Sequence, residues 1–282
     1  MQPSRRAFLM GKRPPRSVWL TFLERLEAVA TGPIEPLGEQ RARLLAADST
    51  DARIARRLCA EYGIALALAG TSAARAALGP CLVVDPARLG AMHESQGRWR
   101  VAPGARVGGL AAAGLAQFQS EIPSLTVAAW LAQAGGWPTG GTAASGLVSA
   151  TVLLADGTVE TLGAFGAAAT QPLRSVRVQQ LVPALFELLR SDDAQACLAQ
   201  AAWAPRFRLD ALAGRDGEVN LAHLFLGHGG ALAWIEELEF VAGTPSLPAT
   251  PDEADPAPAR RLDERVRERF DPAACFASVP AA

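Results

Sequence analysis

A histidine set among glycines is the residue of this sequence best suited to proton transfer. His228 lies in the stretch GHGGALAWIEELEF, which runs from Gly227 to Phe240. An imidazole changes its protonation state near neutral pH and can act as a general acid or base. The sequence identifies no acidic partner for it. A catalytic His228 is therefore a weaker hypothesis than a structural or solvated loop histidine.

Two further histidines and two arginines could also take part in chemistry. The segment around His93 predicts an exposed turn, and His223, within NLAHLF, is expected to be a structural histidine. Arg206 and Arg208 carry the charge that would hold a carboxylate substrate, although their spacing alone gives this little support.

Several well-known catalytic motifs are absent from the sequence. It contains no GxxxxGK phosphate loop, no GxGxxG after a predicted strand, and no GxSxG or HExxH. The four cysteines, Cys59, Cys81, Cys197 and Cys275, are too widely spaced to predict a zinc or iron–sulfur site within this chain, and buried thiols are expected instead. An enzyme built on this chain would take its chemistry from a cofactor.

The composition excludes some classes of partner. The chain has 282 residues, half of them hydrophobic, and a net charge of −1, so neither nucleic acid nor a membrane surface is expected as the main partner. No apolar run approaches the ~20 residues of a transmembrane helix. The twin-arginine-like start SRRAFLM is followed by GKRPPRS rather than an apolar segment, which favours a cytoplasmic protein with a basic N-terminal tail.

The elements that would position these residues are helices and strands in mixed order. A helix over residues 50–62 ends at Gly63, and IALALA and CLVVD predict buried strands. Residues 31–49 have the composition of a connector. Asp156-Gly157 predicts a β-hairpin, and residues 178–202 are mostly helical, with Pro183 near a helix start. The pattern predicts an α+β (α/β) fold.

Four segments in order resemble one family, the FAD-binding PCMH-type flavoproteins, also called the vanillyl-alcohol oxidase type. They are AGTSAARAALGPCLVVDPARL, RWRVAPGARVGGLAAAGL, PSLTVAAWLAQAGGWPTGGTAASGLVSATVLLADG and VNLAHLFLGHGGALAWIEELEF. Within this family, the segments resemble those of the glycolate oxidase flavin subunit and D-lactate dehydrogenase group. Ala67, Leu68 and Ala69 replace an arginine and two glycines of the family's diphosphate loop, and Ala128 and Ala129 replace two further glycines.

The resemblance implies a two-subdomain FAD-binding fold and a set of cofactor-binding residues. Its limits would be residues 50–240, with subdomains at about 50–118 and 119–240. Residues 1–49 would form a basic tail and helix, 241–258 a linker in place of the family's substrate cap domain, and 259–282 a closing segment. The cofactor-binding residues it implies are Gly70, Thr71, Ser72, Pro123, Thr126, Val127, Gly135, Gly136, Gly146, Gly227, Gly230 and Ile235.

The resemblance also implies an activity. The chain would be an FAD-dependent oxidoreductase, or the flavin subunit of one, that oxidises a small substrate resembling a 2-hydroxy acid by hydride transfer to the flavin. No histidine occupies the linking position in the first or third segment, so FAD would be bound non-covalently. An iron–sulfur or other electron-accepting subunit is the implied partner. The alternative is a degenerate, non-catalytic family member that acts as a structural or regulatory subunit.

Overall fold

The computed structural model describes residues 17–77, 79–169, 171–214, 219–245 and 255–279. The predicted basic tail, including the twin-arginine-like stretch, lies outside the described residues. So does residue range 246–254 of the predicted linker. The described chain combines eight α-helices with parallel and antiparallel sheets, which confirms the predicted mixed class.

The first sheet contains four strands in the order β1–β2–β4–β3. The strands are β1 (Ile34–Gly38), β2 (Arg41–Leu45), β3 (Ala65–Leu68) and β4 (Cys81–Asp85). β2, β4 and β3 are parallel, and β1 pairs with β2 in the antiparallel sense. Both predicted buried strands, β3 and β4, are therefore confirmed.

The interpretation of residues 31–49 as a connector is wrong, because these residues contain the β1–β2 hairpin. Pro36 and Gly38 suggested a loop, but proline is tolerated in a strand at a sheet edge, where its missing N–H is not needed. In β2, Ala42 and Leu44 are buried and alternate with half-buried neighbours, and Leu44 lies opposite Val84 of β4.

The second sheet contains five antiparallel strands in the order β5–β6–β11–β7–β8. The strands are β5 (Met92–Ser95), β6 (Arg98–Val101), β7 (Leu147–Leu154), β8 (Val159–Leu162) and β11 (Ala233–Phe240). Asp156-Gly157 does turn the chain between β7 and β8, with Gly157 at φ +95°. His93 is exposed as expected, but it lies in edge strand β5 rather than in a turn. A separate two-stranded sheet pairs β9 (Ala164–Phe165) with β10 (Val219–Asn220).

The helices are α1 (Val18–Val29), α2 (Ser49–Tyr62), α3 (Ser72–Ala76), α4 (Val107–Ala112), α5 (Val127–Gln133), α6 (Val176–Leu189), α7 (Asp192–Leu198) and α8 (Ala257–Phe270). Local signals set several of their ends. Ser17 caps α1, and Asp48 caps α2, which ends at the left-handed Gly63. Pro183 lies inside α6 and not near its start, so that part of the prediction is wrong.

The helix α5 lies at the centre of the core. Its Trp130 is 2% exposed and meets Phe118 and Phe240 edge-on, with ring centroids 4.6 and 5.8 Å apart. Phe240 belongs to β11, so this aromatic cluster joins α5 to the second sheet. Edge-on aromatic contacts add to the free energy of burying the rings. The helix is thereby held in a fixed position between the two sheets.

The cysteines are buried and unpaired, as predicted. Burial raises the pKa of the Cys275 thiol to about 11, so it is protonated near neutral pH. The part of the chain that the structure describes contains no group of three or more metal-ligating side chains. Within the same residues, no helix is long and apolar enough to cross a membrane.

Candidate functional site

Three segments that are far apart in the sequence meet at one place between the two sheets, which we call the seam. The seam consists of the loop at residues 69–72, helix α5 with residues 134–136, and the turn at residues 227–230. The Gln133 side-chain amide donates to the Gly70 carbonyl at 3.0 Å. The amides of Gly227 and Gly229 donate to the carbonyls of Leu131 and Ala132, both at 2.8 Å.

The loop between β3 and α3 is ordered by its own threonine. The Thr71 hydroxyl donates to the Leu68 carbonyl at 2.7 Å and accepts from the Ala74 amide at 3.2 Å. Thr71 is buried, so its hydroxyl serves the loop and caps α3. Ser72, the first residue of α3, is exposed and presents its hydroxyl to solvent.

The seam needs bare backbone because protein packs against it from both sides. Gly230 has φ +83°, and a Cβ there would lie 3.3 Å from the Cβ of Leu68. Gly227 has φ +75°, and a Cβ there would lie 2.9 Å from the Ala134 carbonyl oxygen. L-residues rarely adopt this left-handed conformation. Gly227 and Gly230 are therefore required by the fold itself.

The structure brings some of the predicted cofactor-binding residues together and separates others. Seven of them lie in the seam: Gly70, Thr71, Ser72, Gly135, Gly136, Gly227 and Gly230. Pro123 and Thr126 precede α5 instead.

The Thr126 side chain caps α5 by accepting from the Ala129 amide at 3.3 Å, and Val127 is the buried first residue of that helix. The Pro123 carbonyl accepts from the Gly108 amide at 3.0 Å, which ties this segment to α4.

Gly146 and Ile235 lie apart from the seam. The Gly146 carbonyl accepts from the Val241 amide at 2.8 Å, just after β11 ends, whereas Gly230 precedes its start. The eight residues of β11 separate the two positions. Ile235 is 1% exposed and lies opposite Val152 inside the second sheet.

The structure assigns His228 to packing. The imidazole is fully buried, with its ring edge-on to Phe225 at 5.9 Å between centroids. Neither ring nitrogen has a hydrogen-bond partner among the described residues. Desolvation lowers the pKa of His228 to about 3, so the ring is neutral near pH 7. A neutral, buried ring packed on Phe225 is a core residue in this structure, and nothing in its described surroundings supports the catalytic hypothesis.

His223 is a satisfied structural histidine, as expected. Its Nε2 donates to the Leu147 carbonyl at 2.8 Å, which leaves Nδ1 to accept from the Thr142 hydroxyl at 3.1 Å. Burial is the main reason that the pKa of His223 is lowered to about 4.

Arg208 does not remain free for a substrate carboxylate. It forms a two-point ion pair with Asp210 at 2.9 and 2.6 Å, and it also donates to the carbonyls of Trp137 and Pro138. Asp210 accepts from the Gly140 amide at 2.8 Å. The pair is buried and clamps the loop that follows α5. Sequence reasoning missed this role, and the arginine–x–aspartate spacing was the one available signal.

Arg206 differs, because its guanidinium group lies beside the seam. It is half-buried, 3.8 Å from where a Cβ on Gly229 would be, and it donates to the Val279 carbonyl at 3.3 Å.

The donors at the seam fit a diphosphate group. The exposed Ser72 hydroxyl lies beside the exposed backbone of Gly70, and the amides of Ser72 and Ala73 have no partner within α3, whereas the Ala74 amide donates to Thr71. Arg206 offers a positive charge nearby. The residues at the seam therefore match the chemistry of an FAD diphosphate, although Ala67 and Leu68, where the family has an arginine and a glycine, are buried apolar residues.

Comparison with known proteins finds similarity among solved structures only. No protein-family description and no curated protein matches the sequence. A chitooligosaccharide oxidase is 15% identical over 80% of this chain and 43% of its own, with a TM-score of 0.46. An Acremonium strictum glucooligosaccharide oxidase is 14% identical over 79% and 42%, with a TM-score of 0.47. The 6-hydroxy-D-nicotine oxidase of Arthrobacter nicotinovorans is 16% identical over 81% and 40%, with a TM-score of 0.42.

These three proteins are oxidases of carbohydrates or of 6-hydroxy-D-nicotine, and the chain spans about two-fifths of their length. Another structure of the A. strictum enzyme has a 6-S-cysteinyl, 8α-N1-histidyl FAD, which is a covalently held flavin. At these identities and TM-scores, the similarity assigns neither family nor activity to this chain. None of the three is a glycolate oxidase or a lactate dehydrogenase.

Proposed function

We propose that this chain is a PCMH-type FAD-binding protein that serves as an oxidoreductase or as the flavin subunit of one. One observation carries the proposal: the first, third and fourth sequence segments that resemble the family meet at the seam. The meeting is direct, since Gln133 contacts Gly70 and the 227–230 turn is hydrogen-bonded to α5. Gly70 and Gly227, in the first and fourth segments, are more than 150 residues apart in the sequence. If each segment were an ordinary surface loop, nothing would require them to lie in contact.

Each part of the seam has a task in this proposal. The exposed Ser72 hydroxyl, the amides of Ser72 and Ala73 and the exposed backbone of Gly70 hold the diphosphate, whereas the Ala74 amide is taken by Thr71. Arg206 supplies the positive charge that the family takes from the arginine of its diphosphate loop. Bound FAD would supply the acceptor for the substrate's hydride, and the protein places the two reactants.

The substrate we propose is a small 2-hydroxy acid, with non-covalent FAD and an electron-accepting partner such as an iron–sulfur protein. The resemblance to the glycolate oxidase flavin subunit and D-lactate dehydrogenase group supports this substrate class. Only 16 residues, 241–256, lie between β11 and α8, which is too short for a cap domain. A second subunit would therefore complete the substrate pocket.

Titration with FAD tests the proposal, and Ser72→Asp provides the diagnostic variant. Aspartate at the first position of α3 favours the helix, because it faces the positive end of the helix dipole. It would repel a diphosphate at the same position. We expect wild-type protein to quench FAD fluorescence, and Ser72→Asp to weaken FAD binding by about tenfold or more, since one tenfold step is only about 1.4 kcal/mol.

The matched control is Val18→Asp. Val18 is the exposed first residue of α1, which has a serine cap and no acidic residue in its first turn. This variant adds the same charge at an equivalent helix position and should bind FAD as the wild type does. A colourless wild-type protein that takes up no FAD contradicts the whole proposal. A yellow protein that no 2-hydroxy acid bleaches without oxygen contradicts only the substrate.

A second candidate function is a non-catalytic structural or regulatory subunit. The specific observation in its favour is that protein already fills much of the seam. The Thr71 hydroxyl is engaged by Leu68, and a Cβ on Gly70 would lie only 3.1 Å from the Cβ of Ala129. In this case FAD would not bind, and both aspartate variants would leave the protein unchanged.

A further inference from the structure

A second feature of the chain lies on the outer face of the five-stranded sheet. A cavity of about 630 Å³ opens between β7, β8, the turn at residues 140–146 and the segment that carries β9 and β10. Its wall includes Ser149, Thr161 and Glu239, which are partly exposed, whereas their strand neighbours Ala150 and Leu162 face the core. Of the residues implied for FAD, only Gly146 belongs to this wall.

The charged side chains of the described cavity wall neutralise each other. Its charged side chains are Arg98 and Glu239, which form an ion pair with 3.2 Å between Nη1 and Oε1. The remaining titratable wall residue, His223, has both ring nitrogens engaged and is neutral near pH 7. A ligand with a net charge would find no uncompensated opposite charge among the described wall residues and would lose its hydration. The cavity therefore favours an uncharged molecule.

The polar groups of the wall retain unused hydrogen-bonding capacity. Ser149 donates to Glu239, and Thr161 shares one hydrogen with Thr151 at 2.9 Å, so the hydroxyl oxygens of Ser149 and Thr161 keep lone pairs for further donors. Arg98 is more than half exposed and has further N–H groups to offer. Hydroxyl groups, which both donate and accept, match this mixture better than pure donors or pure acceptors do.

The rest of the wall is apolar. Leu147 and Leu221 are buried, and Phe165, whose ring lies 6.0 Å from that of Phe186 between centroids, is a half-buried residue of the wall. An aromatic ring with aliphatic neighbours suits the C–H face of a carbon skeleton. A molecule that fits both halves of the wall carries hydroxyl groups on a compact carbon frame.

We infer that this cavity binds an uncharged, polyhydroxylated small molecule of polyol or sugar type. The size allows it, since ligand pockets commonly measure about 300–1,000 Å³. The inference does not depend on the proposed function, because the cavity and the seam lie at opposite ends of β11.

Isothermal titration with glycerol, xylitol, glucose and maltose tests the inference, with two threonine variants as a matched pair. Thr161 lines the cavity, whereas its hydrogen-bond partner Thr151 does not. Thr161→Val and Thr151→Val remove the same hydrogen bond and keep a β-branched side chain in a strand. We expect at least one probe to bind the wild type, and Thr161→Val to weaken that binding by about threefold to tenfold. Thr151→Val should leave it within about twofold.

A second pair of variants tests whether the probes bind in the cavity. Ala168 is exposed and lines the cavity, while Ala167 is exposed in the same turn and does not. Ala168→Trp should abolish probe binding, Ala167→Trp should preserve it, and both should bind FAD like the wild type. If neither the wild type nor the two variants bind FAD, while the wild type still binds a probe, the proposed function is contradicted and this inference is not.

Four results would overturn the inference. The first is that none of the four probes binds the wild type, and the second is that the two threonine variants weaken binding equally. Glucuronate or glucosamine could bind as tightly as glucose, which would contradict the balanced charge. Riboflavin could occupy the cavity in place of the polyols, which would assign the cavity to a flavin ring.

Discussion

At the scale of single residues, Gly227 and Gly230 of the seam are explained by contacts within the protein. Gly230 combines a left-handed backbone with a close neighbour, since a Cβ there would lie 3.3 Å from the Cβ of Leu68. Gly97, between β5 and β6, has a similar φ of +76° but nothing within 4 Å of a Cβ. Alanine substitutions at these two positions therefore distinguish the cost of backbone strain, which both share, from the cost of crowding, which only Gly230 has.

We predict that Gly230→Ala destabilises the fold more than Gly97→Ala does. Both variants force alanine into the left-handed region, which costs roughly 1–2 kcal/mol. Gly230→Ala also crowds Leu68, and overpacking of this kind adds about 1–3 kcal/mol. Urea unfolding measures both free energies. Equal losses would show that Leu68 moves aside and that crowding contributes nothing.

At the scale of elements, a buried ion pair fixes the loop that leaves the seam. Arg208 and Asp210 are 3% and 0% exposed, and together they hold the backbone of Trp137, Pro138 and Gly140. This loop runs from the seam to the wall of the outer cavity. The pair is therefore a positioning device for both regions, although it contacts no proposed ligand.

Arg208→Met should be strongly destabilising. It leaves the Asp210 carboxylate buried without its partner, a change that typically costs about 3–5 kcal/mol. The control is Arg261→Met, because the Arg261–Asp193 pair has a more than half-exposed arginine and surface pairs contribute about 0–1 kcal/mol. Chemical denaturation compares the two variants. Similar losses for both would contradict the structural role of the buried pair.

At the scale of the whole molecule, two buried neutral histidines couple folding to pH. The pKa values of His223 and His228 are lowered to about 4 and about 3, whereas an unfolded histidine titrates near 6.5. The unfolded chain therefore binds more protons than the folded one between these values. The stability that the neutral rings contribute is fully present above about pH 6.5 and is lost as the pH falls toward the folded pKa values.

We predict that the free energy of unfolding decreases between about pH 6 and pH 4. The slope from each histidine is up to about 1.4 kcal/mol per pH unit. His228→Leu should reduce the slope, and it should not destabilise the protein at pH 7, because it removes two buried nitrogens without partners among the described residues. His93→Asn, at an exposed strand position, is the control. A slope unchanged by His228→Leu would contradict burial of the neutral ring.

The elements that the sequence determined are those with local signals. Asp48 and Gly63 delimit α2, and Asp156-Gly157 turns the chain between β7 and β8, because caps and tight turns depend on a few neighbouring residues. The glycines of the seam were also recognisable, since few other residues tolerate their backbone conformation.

Other features were decided only by the tertiary structure. The β1–β2 hairpin is stabilised by β4, which lies about 40 residues further along the chain, and Arg208 found its partner in Asp210 rather than in a substrate. His228, chemically the most suggestive residue of the sequence, became a packed ring because Phe225 and the surrounding core exclude water from it. Burial and long-range pairing determine whether a polar side chain reacts or packs, and neither can be derived from residue type and spacing.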